Sequence, residues 1–259
     1  MVAPTPRHAS IDLANEAKNL PLEAHDRRAR LLWRLRGLVR QAPGDAATRL
    51  GLMFAAFHSG DRLLADEQLS WLAAAHASLE TAILTNIAAP LVMVGNHDKA
   101  GSVLKELARR PDRPYLDMGQ PETHGVWALL IGDHGLAQKL AQGYPAAERF
   151  LAAVEERNLG TPVALHGAAA AEAIGPHACD LSLEMNPCGD SEGAFMCCTY
   201  RVPEDRNTRK KMLRDFDSRW SAKLEAQKLR EIDYLGVLLA DVLPLPVSPL
   251  PVSEAIAPA

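Results

Sequence analysis

The sequence lacks the features by which secreted and membrane-spanning proteins are usually recognised. Its 259 residues carry a formal net charge of only −4, so no overall electrostatic attraction to nucleic acid or to a membrane surface is expected. The first residues do not follow the basic-then-apolar plan of a secretory signal. The longest apolar runs, 87–95 and 234–242, are far shorter than a membrane span. We therefore expect a cytoplasmic protein that does not enter a membrane.

Cysteine is scarce, and its arrangement argues against a disulfide framework or a zinc site. Of the four cysteines, Cys197 and Cys198 are adjacent, so on a strand they would face opposite sides of the sheet. Structural zinc sites usually use paired Cys-x-x-Cys ligands, and the sequence contains no such pair. His177, Cys179 and Cys188 are the other conceivable ligands, but we interpret the cysteines as small buried residues. No metal and no cofactor are expected.

Motifs for common catalytic chemistries are also missing. No Gly-rich phosphate loop, His-Glu-x-x-His or Gly-x-Ser-x-Gly motif occurs in the sequence. Cys188 lies close in sequence to Asp190 and Glu192, whose negative charges disfavour the reactive thiolate. Together with Glu184 and Arg201, these acidic residues could line a cleft. An enzyme with a site in this C-terminal segment therefore stays open as an alternative, with no catalytic residue assigned.

The sequence does contain a short motif that occurs three times in its first 145 residues. Gly60, Gly95 and Gly132 each follow an apolar run and precede Asp or Asn, at steps of 35 and 37 residues. Glycine can adopt the left-handed conformation that closes a helix, and the Asp or Asn can cap the next helix. An alanine follows each glycine by five residues, where two helices can approach closely; these are Ala65, Ala100 and Ala137. A step of this size is typical of stacked helical hairpins.

An earlier half-unit fits the same step. Ala29 precedes Ala65 by 36 residues, and Trp33 follows Ala29 by one helical turn. These small residues and Gly-Asp/Asn turns resemble those of tetratricopeptide-like (TPR-like) repeats over residues 20–156, with Leu84 and Ile87 in place of the usual aromatic and Leu-Gly pairs. The resemblance implies a superhelix of hairpins whose first helices line a concave groove. The alternative is an irregular helical bundle in which the three turns coincide by chance.

The TPR-like resemblance also implies which residues would line the groove. Counting back from each glycine gives the following predicted partner-binding residues: Phe54, Phe57, His58, Thr85, Asn86, Met93, Glu122, Val126 and Leu130. This set is mostly apolar, which suits an amphipathic helix or an extended apolar peptide of another protein. The chain's own C-terminal domain or tail could fill the groove instead.

Two basic helices support a different alternative. Helix 22–41 carries six arginines on one side, and the helix beginning near residue 205 opens with a basic run. Possible nucleic-acid contacts are Arg27, Arg34, Arg209, Lys210, Lys211 and Arg214. In the second helix Met212, Phe216, Trp220 and Leu224 recur every four residues, which is typical of a core stripe rather than of base-stacking platforms.

After Pro162 the period changes to alternation in two runs, 179–185 and 194–202, which predicts a β-hairpin followed by a long helix over 205–230. Residues 232–242 read as a third strand or as a continuation of the helix. We predict an α+β multidomain protein, mainly α: a loose lead-in (1–20), a TPR-like helical hairpin array (21–158), a small α+β domain (163–242) and a Pro-rich disordered tail (243–259). The favoured function is a non-catalytic scaffold, adaptor or chaperone-like subunit that binds another protein, with a nucleic-acid-associated accessory factor using helices 27–40 and 206–230 as the runner-up.

Overall fold

The computed structural model describes Asp12, Leu13, Glu16 and residues 24–110, 123–185, 196–234 and 237–245. It is mainly helical, with a small sheet near the C-terminus. The helices are α1 (His25–Gln41), α2 (Ala46–His58), α3 (Arg62–Ala74), α4 (Thr81–Met93), α5 (His97–Arg109), α6 (His124–Leu130), α7 (His134–Ala141), α8 (Pro145–Glu156), α9 (Gly160–Ala173) and α10 (Arg206–Ala226). The strands are β1 (Asp180–Met185), β2 (Met196–Val202) and β3 (Leu238–Pro244). None of the described helices is long and apolar enough to cross a membrane.

Three helix pairs are joined by the predicted glycine turns. Gly60, Gly95 and Gly132 have φ of 73°, 75° and 84°, so each adopts the left-handed conformation. At the first turn the N–H of Gly60 donates to the carbonyl of Phe57, and the N–H of Asp61 donates to that of Ala56. The other two turns repeat this pair of bonds, which defines the Schellman motif. The expected helix stops are confirmed at all three glycines.

Helix capping after these glycines is unequal. The carboxylate of Asp61 accepts a hydrogen bond from the backbone N–H of Leu64 at 3.2 Å, and Asp133 caps α7 in the same way through Leu136 at 3.0 Å. Asn96 precedes α5 but forms no side-chain cap bond. The predicted cap is therefore present at two of the three turns, and at Asn96 the prediction is wrong.

The alanines after the glycines lie at the helix contacts, as their spacing predicts. Ala65, Ala100 and Ala137 are almost completely buried where α2 packs on α3, α4 on α5, and α6 on α7. The extension of this register to Ala29 and Trp33 is wrong, because both side chains are exposed. Helix α1 packs on α2 through a different side, which carries the buried residues Leu31, Leu32 and Leu35.

Helix α9 joins the helical pairs to the C-terminal unit. Gly160 and Pro162 were expected to mark a boundary before a domain starting at 163, but both lie in the first turn of α9. Proline is tolerated there because the first N–H groups of a helix have no intrahelical partner. One side of α9 contacts α4 and α6, and another contacts α10 and β3. At Gly167 an added Cβ would lie 2.6 Å from the carbonyl oxygen of Leu130, so α9 and α6 are in close contact.

The sheet has the order β1-β2-β3, with β1 antiparallel and β3 parallel to β2. The alternating runs are thus confirmed as two paired strands, and the third run is a strand rather than a helix. Leu181 pairs with Tyr200 and Leu183 with Cys198, on the buried face. Asp180 and Glu184 of β1 lie on the opposite face. Strand β1 is an edge strand, since it pairs with β2 alone in the described sheet.

The long helix α10 closes the buried face of the C-terminal unit. Met212, Phe216, Trp220 and Leu224 are buried, which confirms the predicted core stripe. His166 of α9 is completely buried against two of these rings, with its centroid 5.0 Å from that of Phe216 and 5.5 Å from that of Trp220.

Candidate functional site

A cleft of about 520 Å³ lies between the first helices of the three pairs and the edge strand of the sheet. One wall is formed by α2, α4 and α6, and the other by strand β1 with the residue before it, Cys179. Its volume falls within the range of roughly 300–1,000 Å³ that is usual for ligand pockets. The C-terminal unit therefore supplies the second wall of this cleft.

The helical wall is apolar. Phe54 of α2, Ala89 and Pro90 of α4, and Trp127 of α6 contribute side chains to the cleft. Phe54 and Ala89 are half-buried, whereas Trp127 is buried and supports the base of the wall. This surface offers a partner apolar contact area without any charged side chain among these four residues.

The strand wall is continuous. The six successive residues 179–184 all line the cleft, on both faces of the strand, so β1 presents its edge to it. In an antiparallel pair, the N–H and C=O groups of alternate residues point away from the partner strand. The N–H of Leu181 donates to the carboxylate of its neighbour Asp180 at 3.0 Å. Charged residues on an edge strand commonly guard it against unwanted pairing.

The rim of the cleft is polar and, on the strand side, acidic. Thr85 and Asn86 bond back to their own helix, through the carbonyls of Thr81 at 3.0 Å and Ala82 at 2.7 Å. Asp180 and Glu184 add two carboxylates on the strand side. An occupant with a cationic group opposite these carboxylates is therefore favoured electrostatically.

Arg62 holds the strand wall in place. Its guanidinium donates from Nη1 to the carbonyls of Gly175 at 2.7 Å and Ala178 at 3.1 Å, just before β1. The same group lies over the ring of Phe57, 5.3 Å from the centroid. At Gly175 an added Cβ would lie 2.4 Å from the carbonyl oxygen of Met93. The approach to β1 is therefore packed directly on α4.

The structure brings five of the nine predicted groove residues to the cleft and separates the others from it. Phe54, Phe57, Thr85, Asn86 and Met93 line the cleft. Val126 and Leu130 are 0% and 1% exposed and belong to the core, so the prediction of a groove-facing position is wrong for them. The reason is α9, which packs on α6 where the open groove was expected.

His58 and Glu122 have other positions. His58 is buried, and its backbone carbonyl accepts a hydrogen bond from the guanidinium of Arg28. It therefore does not face the groove as predicted. Glu122 lies outside the described residues. Phe57 and Met93 line the cleft but are each only 2% exposed, so truncation of Phe57 would remove core packing as well as cleft surface.

Sequence reasoning did not assign the strand wall as a binding surface. The alternating run that forms β1 was visible, but its position at the sheet edge and beside α4 depends on strand order and on packing between distant segments. Thr123, His124 and Trp127 also line the cleft and were not predicted. All three are buried at the start of α6, and no local pattern distinguishes them from other core residues.

The environment of the described cysteines disfavours the reactive thiolate. Burial, with a smaller contribution from the Glu204 carboxylate, raises the pKa of Cys179 to about 12, and burial also raises the pKa of Cys198. Cys197 is half-buried and Cys198 buried, so they lie on opposite faces of β2, as predicted. Among the described residues, no group of three or more His, Cys, Asp or Glu side chains could hold a metal ion. Cys188, Asp190 and Glu192 lie outside the described residues.

The predicted nucleic-acid contacts are partly occupied by contacts within the chain. Arg27 pairs with Glu16 at 2.7 Å, and Arg209 donates to the carbonyl of Glu204 at 2.7 Å. Later in α10, Arg219 and Lys223 both pair with Glu172 of α9. The remaining predicted contacts are exposed: Arg34, Lys210, Lys211 and Arg214.

Comparison with known proteins adds no constraint to this geometry. No protein-family model, no curated protein and no solved structure matches the chain.

Proposed function

We propose that this protein is a non-catalytic interaction subunit that holds an extended segment of a partner protein in the cleft. The observation that carries the proposal is the edge of β1 facing an apolar helical wall across a cleft of about 520 Å³. Peptides commonly bind such edges by adding a strand, with affinity from main-chain hydrogen bonds and specificity from pockets for alternate side chains.

The cleft chemistry defines the partner segment. A strand added to β1 directs alternate side chains to opposite faces of the sheet. Apolar side chains of the segment would contact Phe54, Ala89 and Pro90 of the helical wall. A lysine or arginine in the segment would lie near Asp180 and Glu184. The partner is therefore a segment with alternating apolar residues and at least one basic residue.

We further propose that the helical wall is a TPR-like array. The support is the recurrence of the Schellman turn at Gly60, Gly95 and Gly132, followed each time by a buried alanine at a helix contact. In this arrangement the first helix of each pair faces the concave side, which agrees with the positions of Phe54 and Asn86. Burial disfavours the thiolate in Cys179 and Cys198, which argues against these two residues as nucleophiles.

The test uses random peptides of about 12 residues, selected on the full-length protein and then measured by fluorescence anisotropy. Ala89→Phe places a large ring in the cleft and should weaken binding at least about tenfold, a loss typical of an interface centre. Ala82→Phe is the matched control, because Ala82 is an exposed residue of the same helix that does not line the cleft. Thermal melting of both variants checks that the fold is intact.

Strand addition is tested separately by N-methylating the peptide at alternate positions. Methylation removes main-chain donors, so one set of alternate positions should abolish binding and the other should be tolerated. Selected peptides that bind Ala89→Phe as tightly as the wild type would contradict the cleft assignment. Equal tolerance of both methylation sets would leave the cleft as the site but contradict pairing with β1.

A further inference from the structure

The outer face of α1 combines an exposed aromatic ring with cations that have no acidic partner. We define the α1 outer face as Arg30, Trp33, Arg34, Gly37 and Arg40, which follow one another around the solvent side of the helix. Trp33 is 69% exposed. The other three tryptophans, Trp71, Trp127 and Trp220, are half-buried or buried. An exposed tryptophan alone carries no conclusion, but beside several cations its ring can stack on a planar ligand.

The arginines of this face differ from their neighbours on the same helix. Arg27 pairs with Glu16 at 2.7 Å, and Arg36 pairs with Asp61 at 3.0 Å. In the described part of the chain, Arg30, Arg34 and Arg40 form neither a hydrogen bond nor an ion pair. Asp26, in the first turn of α1, lies one helical turn before Arg30 but forms no ion pair with it at 4.0 Å or less. Three guanidinium groups are thus available to an external anion.

The spacing of these groups suits a chain of phosphates. At about 1.5 Å per residue, Arg34 lies about 6 Å along the helix axis from Arg30 and about 9 Å from Arg40. Because arginine side chains are long and flexible, their guanidinium groups can reach successive phosphates of a single strand. Gly37 lies between Arg34 and Arg40 with no atom near its absent Cβ. A shallow depression of about 500 Å³ extends from Gly37 to Trp33, and the buried side chain of Leu13 forms part of its lining.

We propose that the α1 outer face is a second binding site, separate from the cleft, that takes single-stranded nucleic acid. Trp33 would stack on one base, and the open surface at Gly37 admits that base against the helix. Arg30, Arg34 and Arg40 would contact phosphates on either side. Stacking on an aromatic side chain together with phosphate contacts is the general mode of sequence-tolerant single-strand binding. An acidic peptide would use the arginines but would leave the face of Trp33 and the depression at Gly37 without a planar ligand.

The proposed site is tested with the full-length protein and fluorescently labelled oligo-dT and oligo-U of about 12 nucleotides. Binding is followed by anisotropy and by quenching of tryptophan emission, which base stacking on Trp33 should cause. Three phosphate contacts predict a slope of about −2 in log K against log salt for a single strand. Trp33→Ala should abolish the quenching and weaken binding about tenfold or more, whereas Trp33→Tyr should retain most of the affinity.

Charge-matched variants separate this site from a general charge effect. Arg34→Glu should weaken binding at least about tenfold, because it removes a phosphate contact and adds repulsion. Arg149→Glu makes the same charge change at an exposed arginine of α8 and should have less than about a threefold effect. Equal losses in both variants, or no oligonucleotide binding at low salt, would overturn the proposal. Quenching of Trp33 by poly-glutamate but not by the oligonucleotides would overturn it in favour of an acidic protein partner.

Discussion

The helix pairs α2–α7 and the C-terminal unit of α9, α10 and the sheet are held together in different ways. Each pair closes with the same glycine turn and packs around one small alanine, so its main contacts connect residues close in sequence. In the C-terminal unit, His166 packs against Phe216 and Trp220, about 50 residues further along the chain. The helix pairs thus repeat one local contact, whereas the C-terminal unit depends on contacts between segments that are distant in sequence, including the pairing of β2 with β3.

Both regions contain buried polar atoms that have no hydrogen-bond partner among the described residues. In the helix pairs these include the hydroxyl of Ser59 and Nε2 of His97. In the C-terminal unit, neither ring nitrogen of His166 nor the indole nitrogen of Trp220 has a hydrogen-bond partner among the described residues. Burial lowers the pKa of both His97 in α5 and His166 in α9. Because His166 is completely buried, the larger response to pH is expected in the C-terminal unit.

The largest expected effect is the pH dependence of the C-terminal unit. Burial lowers the pKa of His166 from 6.5 to about 4. Because the unfolded chain binds the proton first, His166 should make no difference to stability above about pH 7. Between about pH 6.5 and 4 it should progressively destabilise the fold, by about 3 kcal/mol at pH 4.

The measurement is urea unfolding of the wild type and His166→Leu between pH 7 and pH 4. The difference between the two free energies of unfolding isolates His166, because carboxylates titrate in both proteins. The wild type should lose about 3 kcal/mol more than the variant. A difference that is constant across this range would show that the imidazole is not buried as a neutral group.

The next largest effect on unfolding free energy is expected at the contact between the helix pairs and the C-terminal unit. Gly167→Ala places a Cβ 2.6 Å from the carbonyl oxygen of Leu130, and a backbone atom cannot move aside without shifting a helix. We expect a loss of about 2–3 kcal/mol in unfolding free energy. Gly135→Ala is the matched control, since no atom lies within 4 Å of the added Cβ in α7, and it should be neutral or stabilising by up to about 1 kcal/mol.

Circular dichroism during urea unfolding distinguishes the two glycine variants. If Gly167→Ala unfolds with the same midpoint as Gly135→Ala, then α9 is not packed tightly on α6. In that case the C-terminal unit would be joined to the helix pairs by the Arg62 contacts rather than by this helix.

The smallest effects are expected from substitutions of the residue that follows each turn glycine, and they should differ among the three turns. Asp61→Ala and Asp133→Ala remove a capping bond and should each cost about 1 kcal/mol. Asn96→Ala removes no capping bond and should change stability by less than about 0.5 kcal/mol. Equal costs at all three positions, measured by thermal unfolding, would mean that Asn96 caps α5 in solution and that the turns are equivalent.

Features with a local physical cause could be predicted from the sequence. The glycine turns, the buried alanines and the core stripe of α10 follow from backbone conformation and helical periodicity, which depend on neighbours in sequence. The register failed at Ala29 and Trp33 because it was extended to a helix that no glycine turn precedes. The prediction of a cap was wrong at Asn96. An asparagine at this position can form a capping bond, but its side chain need not adopt the geometry that the bond requires.

The candidate site was predicted on one side only. Counting back from the glycines predicted that Phe54, Thr85 and Asn86 face the groove, and all three line the helical wall of the cleft. The prediction succeeded because helical periodicity fixes which side of the helix each position occupies. Val126 has the same spacing from its glycine as Phe54 but is buried, as is Leu130, which is in close contact with Gly167 of α9. The sequence pattern of α6 could not predict this burial, because it depends on packing against a helix about 35 residues further along the chain.

The sequence by itself determined where the first helix of each pair ends, which alanines lie between the paired helices and which side of α10 is buried, because each of these depends on local conformation and periodicity. The tertiary structure alone decided that β1 is an edge strand, that this edge faces α4 across the cleft, and that Trp33 lies in solvent. These properties depend on which distant segments pack together, and burial is a property of the whole folded chain rather than of any local pattern.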